Sequence, residues 1–233
     1  MIRNFLFSII FFTGIIIISV IFLPSFFLPR KIVLIGGKLM GYWTGICLRF
    51  VLSVKILIKG EENIIKEDKF FIAASHQSMF ETFYLQTIFN SPVFILKKEL
   101  LQIPIFGWYL KKIGSISINR NKTTKNNLGF FNDISKTISQ SNRPLIIFPQ
   151  GTRVLPNERP PFKKGVSKIY EKLKISCQPI AINSGHVWPK AGVNLGQKSI
   201  TISILKPISA NLPKEEFLKI LENNIYSELN LLN

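Results

Sequence analysis

A run of nineteen uncharged residues at 5–23 (FLFSIIFFTGIIIISVIFL) constrains this chain more than any other feature. As a helix rising 1.5 Å per residue it is roughly 28 Å long, close to the ~30 Å hydrocarbon layer of a bilayer. Pro24 stops it, and Arg30-Lys31 mark an aqueous boundary. A cleaved signal peptide has an apolar core of roughly 7–15 residues and a small-residue cleavage site, and the run has neither. Nothing on it is polar enough to face water, so a transmembrane anchor is expected over 5–23. The next stretch, 32–58, is also apolar but is interrupted by Lys38, Arg49 and Lys55 and by Gly36, Gly37, Gly41 and Gly45. It reads as a helix over 32–53 lying in the interface or packed on the domain. Residues 1–54 are therefore expected to form a membrane anchor, and 55–233 one further domain.

Thirty Lys and Arg against thirteen Asp and Glu give a net charge of +17, while 47% of the residues are hydrophobic. That hydrophobic share excludes a disordered basic tail and suits a membrane surface. No recognition-helix, zinc-finger or ribonucleoprotein pattern is present, so no nucleic acid is expected as a partner. The two cysteines, Cys47 and Cys177, lie far apart and exclude a disulfide scaffold or a cysteine-built zinc site. Only His76 and His186 can serve histidine-dependent chemistry.

From residue 54 onward short β-rich runs alternate with helical stretches. Strands are expected at 54–59, 70–74, 93–97, 115–119, 144–148, 178–182 and 199–206. Helices are expected at 79–90, 99–112, 124–140, 163–174 and 213–229. Strands that are apolar throughout, alternating with helices, predict an α/β fold with a sheet covered by helices. In such sheets functional residues sit beyond the strand ends. Residues 97–174 also hold sixteen Lys and Arg and only four Asp and Glu. Lys97-Lys98 and Lys111-Lys112 bracket an apolar stretch with an aromatic pair, a pattern equally consistent with anionic headgroups and with ordinary solvated lysines.

Three strand exits carry candidate chemistry. His76-Gln77-Ser78-Met79-Phe80-Glu81 follows the first buried strand, and a histidine with a carboxylate partner is a general base held in one tautomer. Spacing of five puts the two about 140° apart on a continuous helix, so they meet only if His76 precedes the helix and Glu81 sits in its first turn. Ser78 as N-cap permits that, but Glu81 could equally do no more than close a capping box. Gly114 to Arg120 is a strand that delivers an arginine at its exit, suited to bidentate phosphate recognition. Phe148-Pro149-Gln150-Gly151-Thr152-Arg153 ends a buried strand in a Gly turn whose backbone N–H groups could cradle an anion. Lys163 adds a cation if the loop folds back. A plain turn or a surface arginine remains the alternative at each exit. Gln178 to Gly185 reads mainly as buried strand.

The order and combination of these pieces resemble the glycerophospholipid acyltransferase family: His-x4-carboxylate, a Gly-to-Arg strand, FP-x-GTR and PIAINSG, over roughly residues 55–205. The resemblance implies a mixed, largely parallel α/β sheet flanked by helices and preceded by N-terminal membrane helices. It implies acyl transfer from a thioester, acyl-CoA or acyl-carrier protein, to the sn-2 hydroxyl of lysophosphatidate (1-acylglycerol 3-phosphate), giving phosphatidate. Glycerol 3-phosphate or another lysolipid is the alternative acceptor, and a non-catalytic membrane-anchored basic binding protein is the rival from another class. In the family reading His76 is the base and Glu81 its orienting carboxylate. Arg120, Arg153 and Lys163 hold the phosphate, and backbone N–H groups at Gly151 and Thr152 stabilise the oxyanion. No metal or bound cofactor is expected. Membrane lipid is a partner, and soluble donors place the catalytic domain on the cytoplasmic face of the cell (inner) membrane. Two residues depart from the family pattern: Glu81 stands where Asp is usual, and Gln150 where the third motif usually has Glu.

Overall fold

Every residue of the segment Phe70–Ala74 is buried. Phe70, Ile72 and Ala74 enter one hydrophobic cluster, while Phe71 and Ala73 enter another. Side chains of a strand alternate between faces, so a strand buried on both faces lies inside a sheet covered on both sides. The computed structural model describes residues 2–67, 69–118, 128–194 and 196–232, and its layers follow that rule.

Two helices, α1 (Ile2–Ile21) and α2 (Arg30–Ile46), are joined through a 3₁₀ turn at Leu23–Phe27 and precede β1 (Lys55–Lys59). Then come β2 (Phe70–Ala74), α3 (Phe80–Ile88), β3 (Val93–Lys97), α4 (Phe106–Lys112), β4 (Ile116–Ile118) and α5 (Leu128–Ser139). The chain continues with β5 (Leu145–Ile147), α6 (Gly165–Leu173), β6 (Ser176–Ile182), β7 (Ser199–Ile204) and α7 (Lys214–Leu231). The seven strands form one sheet in the order β1-β7-β6-β2-β5-β3-β4. All neighbours are parallel except β6 and β7, which makes the sheet mixed but largely parallel, as expected. Phe80 and Leu85 of α3 pack on one face together with Phe7 and Phe11 of α1. Ile134, Val166, Tyr170, Phe217 and Leu221 from α5, α6 and α7 cover the other, where the rings of Tyr170 and Phe217 stack at 3.8 Å.

The helix expected over 99–112 is broken in two. A 3₁₀ turn at Lys98–Gln102 is separated from α4 by Pro104 and by Ile105, whose φ is +62°. Proline disfavours the helical conformation in the residue before it, and Ile103 is extended.

Among the described residues α1 is the helix long and apolar enough to cross a membrane. It also packs on the domain along one stripe. Phe7 and Phe11 meet the Trp188 ring edge-on at 5.0 and 4.9 Å, and Asn4 Nδ2 donates to the Val193 carbonyl at 2.7 Å. Phe5, Ile9, Phe12, Ile16 and Val20 remain exposed. The next helix, α2, runs between α1 and α3. Trp43 Nε1 donates to the Phe11 carbonyl at 3.2 Å, and a Cβ on Gly41 would lie 2.6 Å from the Phe83 carbonyl oxygen, so only glycine lets α2 approach α3 this closely.

Candidate active site

Because β2 runs parallel to both β5 and β6, the exits of these three strands lie side by side at one end of the sheet. That geometry gathers Ser75-His76, the turn 148–151 and Asn183-Ser184-Gly185. Ser75 ties the first exit to the third: its hydroxyl accepts from the Ile182 N–H at 2.8 Å.

His76 precedes α3 and Glu81 lies in its first turn, the arrangement their spacing requires if they are to meet. His76 Nδ1 is 3.7 Å from Glu81 Oε2. That is longer than a hydrogen bond, as is common for catalytic pairs without substrate. The Glu81 carboxylate is fully buried. Its oxygens accept from the backbone N–H of Gln77 at 3.1 Å and of Ser78 at 3.1 and 3.2 Å. The Ser184 hydroxyl donates to Oε1 at 2.5 Å. Ser78 Oγ in turn accepts from the Phe80 N–H at 3.1 Å. The helix starts one residue later than expected, with Met79 and not Ser78 as N-cap, but Glu81 still closes the turn before it, and that turn presents the carboxylate to the imidazole. The two readings of the motif describe one structure.

The imidazole stacks on Phe148, with centroids 4.1 Å apart and planes 17° from parallel. Its backbone is fastened on both sides. The His76 N–H donates to Gln150 Oε1 at 3.2 Å, and its carbonyl accepts from the Val154 N–H at 2.9 Å. The second bond sets Arg153, half-buried, directly beside the His76 loop. Gln150 is itself buried and lies near the Tyr226 hydroxyl of α7, which donates to the Pro160 carbonyl. Burial and the neighbouring Glu222 push that hydroxyl up to about 12.

Gly151 has φ +75°, a conformation that favours glycine. Its N–H donates to the Phe148 carbonyl at 2.9 Å and closes the turn, so it is not free to face an oxyanion. Thr152, exposed, is the member of the expected pair that faces outward. The Lys163 loop does fold back: its N–H donates to the Pro149 carbonyl at 2.9 Å, and its stem passes over Gly151. One end of the sheet therefore brings together His76, Glu81, Gly151, Thr152, Arg153 and Lys163. Arg120 lies outside the described residues; the strand that leads toward it, β4, is at the sheet edge.

Four contacts of this site escape sequence reasoning, although the strand-exit motifs include three of the residues: the Phe148 platform under His76, Ser184 on the carboxylate, Gln150 on the His76 backbone, and Gln77, whose Oε1 accepts from the Gly185 N–H at 3.1 Å. Ser184 carried a usable signal, since it sits at a strand exit like the other three. The apolar run before it made the whole block read as core. Cys177, in β6, is fully buried, which pushes its thiol well above the usual range and leaves it inert.

Residues 55–183 match the protein-family model described as Acyltransferase, more than half of the chain. The chain belongs to the acyltransferase family. Among its relatives is a 1-acyl-sn-glycerol-3-phosphate acyltransferase of Saccharomyces cerevisiae, 31% identical over 194 residues, covering 78% of this chain and 63% of the yeast protein. Another, of the same description, is from Pseudomonas aeruginosa and is 34% identical over 144 residues, 62% of this chain and 55% of that protein. The chain thus spans about half to three-fifths of the length of these curated relatives. A crystal structure described as the 1-acyl-sn-glycerophosphate (LPA) acyltransferase PlsC from Thermotoga maritima has the same fold. It superposes with a TM-score of 0.81 at 22% identity, covering 99% of this chain and 96% of that one. His76 beside the buried Glu81 carboxylate has the form of a general base with an orienting partner.

Proposed function

We propose that this acyltransferase moves a fatty acyl group from a thioester to the sn-2 hydroxyl of 1-acylglycerol 3-phosphate, forming phosphatidate. The observation that carries the reading is His76 held against the buried Glu81 carboxylate at the strand exit to which the FPQGTR loop is tied. With Nδ1 turned to Glu81, Nε2 accepts the proton of the hydroxyl as its oxygen attacks the thioester carbonyl. Glu81 stabilises the imidazolium, as in a triad without the nucleophilic serine. Collapse of the tetrahedral intermediate expels the thiolate, which takes the proton back from His76. The names of the relatives support lysophosphatidate as acceptor. Arg153 and Lys163, brought to the His76 loop by backbone hydrogen bonds, supply cations for its phosphate.

The bare apolar face of α1 supports attachment to the membrane in which the lysolipid acceptor resides. Acyl-CoA or acyl-carrier protein would arrive from the cytosol, placing the active site on the cytoplasmic face. The departure at Gln150 favours keeping glycerol 3-phosphate as a second acceptor in the test. Purified full-length protein, given labelled acyl-CoA or acyl-carrier protein and each acceptor in turn, is expected to form phosphatidate from 1-acylglycerol 3-phosphate. Product from glycerol 3-phosphate alone would move the assignment to that acceptor, and no product from any pairing would overturn the reading. In the same assay Arg153→Ala is expected to raise KM for the phosphorylated acceptor roughly tenfold or more, the value of one hydrogen bond to a charged group, with a smaller change in kcat. An unchanged KM would remove Arg153 from the phosphate site.

A further inference from the structure

A second cluster of cations lies at the opposite end of the sheet from His76. Arg30, Lys31, Leu34, Ile35 and Lys38 form one stripe of α2, because residues three and four apart share a helix face. With Asn90, Ser91 and Arg143 they line an open pocket of about 390 Å³. Asn90 and Ser91 precede β3 and Arg143 precedes β5, so the pocket borders the starts of these strands, whereas Gln150 follows the end of β5. It therefore lies at the far end of the sheet from the loop that carries Arg153.

Four of the eight lining residues are cationic and none is acidic. Among the described residues Arg143 is held by backbone carbonyls: Nε donates to Ser91 at 2.6 Å, Nη1 to Ile113 at 2.6 Å and Nη2 to Pro92 at 3.3 Å. Burial, and then the nearby Arg30, bring its pKa down to about 10. A half-buried guanidinium facing further cations across a cavity without a carboxylate is a site whose charge is left to be balanced by a ligand.

Two hydrogen bonds link the pocket to an apolar surface. Arg30 Nε donates to the Lys112 carbonyl at 3.1 Å, and Lys112 Nζ donates to the Phe26 carbonyl at 3.1 Å. Phe26 in turn lines, with Leu23, Pro24, Phe27 and Trp108, an open apolar groove of about 650 Å³ in which Phe27 is 94% exposed. A cationic pocket with aliphatic walls beside an aromatic groove matches a phosphate headgroup with its acyl chain.

We propose that this pocket binds the phosphate of an anionic glycerophospholipid of the bilayer, its chain lying along the Phe26–Trp108 groove, at a site separate from the one that acylates. Free inorganic phosphate shares the headgroup chemistry, but the Leu34 and Ile35 walls and the adjoining groove favour the lipid. The proposal rests on membrane attachment through α1 and not on the acyl-transfer chemistry.

Flotation of the full chain with vesicles tests it, using phosphatidylcholine alone and phosphatidylcholine with about 30% phosphatidylglycerol. Wild type is expected to bind both and the anionic vesicles more tightly. Lys31→Gln/Lys38→Gln is expected to lose roughly fivefold per cation, about 25-fold together, on the anionic vesicles only. Its acyl transfer in neutral detergent micelles should equal wild type, which also reports its folding. Lys168→Gln/Lys172→Gln removes the same charge from exposed positions on α6 and is expected to lose far less. Equal losses from the two pairs, or equal binding to the two vesicles, would overturn the site. So would loss of detergent activity, which would return the cations to the acceptor, or displacement by inorganic phosphate beyond that of chloride at matched ionic strength. Binding to neither vesicle would overturn the membrane reading along with it.

Discussion

His76→Ala is expected to lower turnover by roughly 10²- to 10⁴-fold, the usual contribution of a positioned general base. Nothing else in the described site can take over the role. His186 is the second histidine of the chain, at the end of the 3₁₀ turn that Ser184 begins, while the carboxylate that would orient a base faces His76. The imidazole stacks on Phe148 and is 16% exposed, so its loss leaves a small gap at the mouth of the site and not a hole in the core. The thermal midpoint is therefore expected to stay near wild type while phosphatidate formation collapses in kcat. Retention of more than about a tenth of wild-type turnover would remove His76 from catalysis. A matching collapse of stability would mean that folding, not proton transfer, had been measured. Wild-type turnover with His76 replaced would also revive the non-catalytic alternative, since a binding module loses nothing by this change.

Much of the scaffold behind that result is legible in the residues. The strands of this sheet are short apolar runs bounded by polar residues and glycine, and each appears within two residues of its expected limits over the described part of the chain. Parallel strands place their exits together, so two of the exits flagged by the sheet rule, those of β2 and β5, meet in space, while the Arg120 exit lies outside the described residues. What could not be read was pairing across distance. Ser184 lies 103 positions from Glu81, and no local pattern distinguishes a hydroxyl on a buried carboxylate from one on a turn. Phe148 is the last apolar residue before a proline, and its ring becomes a platform only because β5 lies next to β2. The Gly151 turn illustrates the reverse failure. Its sequence advertises free backbone donors, but a φ of +75° closes the turn upon the Phe148 carbonyl and engages its own N–H. Composition likewise marked α1 as an anchor, without revealing that Phe7 and Phe11 seat it on Trp188.

Glu81→Gln is expected to remove nearly as much activity as the loss of His76, and to destabilise the protein as well. The wild-type carboxylate accepts from two backbone N–H groups and one hydroxyl in a fully buried position. An amide offers one oxygen where two were used, and turns an N–H₂ donor toward donors. One buried group is then unsatisfied, at about 1–3 kcal/mol. For a chain of this size that lowers the thermal midpoint by roughly 2–12 °C. The activity effect has a separate origin: without its charge the residue neither stabilises the imidazolium nor fixes the tautomer, and roughly 10²- to 10⁴-fold in kcat is at stake. Glu81→Asp separates the two. It keeps the charge but draws the carboxylate back by about one bond, roughly 1.5 Å, so it can serve His76 or Ser184 but not both without movement of the α3 turn. The Glu81→Asp variant is expected to recover most of the activity that Glu81→Gln loses, and Ser184→Ala to cost roughly tenfold in kcat with KM unchanged. If Glu81→Gln retained wild-type kcat while its thermal midpoint fell, Glu81 would be a helix cap alone, and the imidazole would act without a partner.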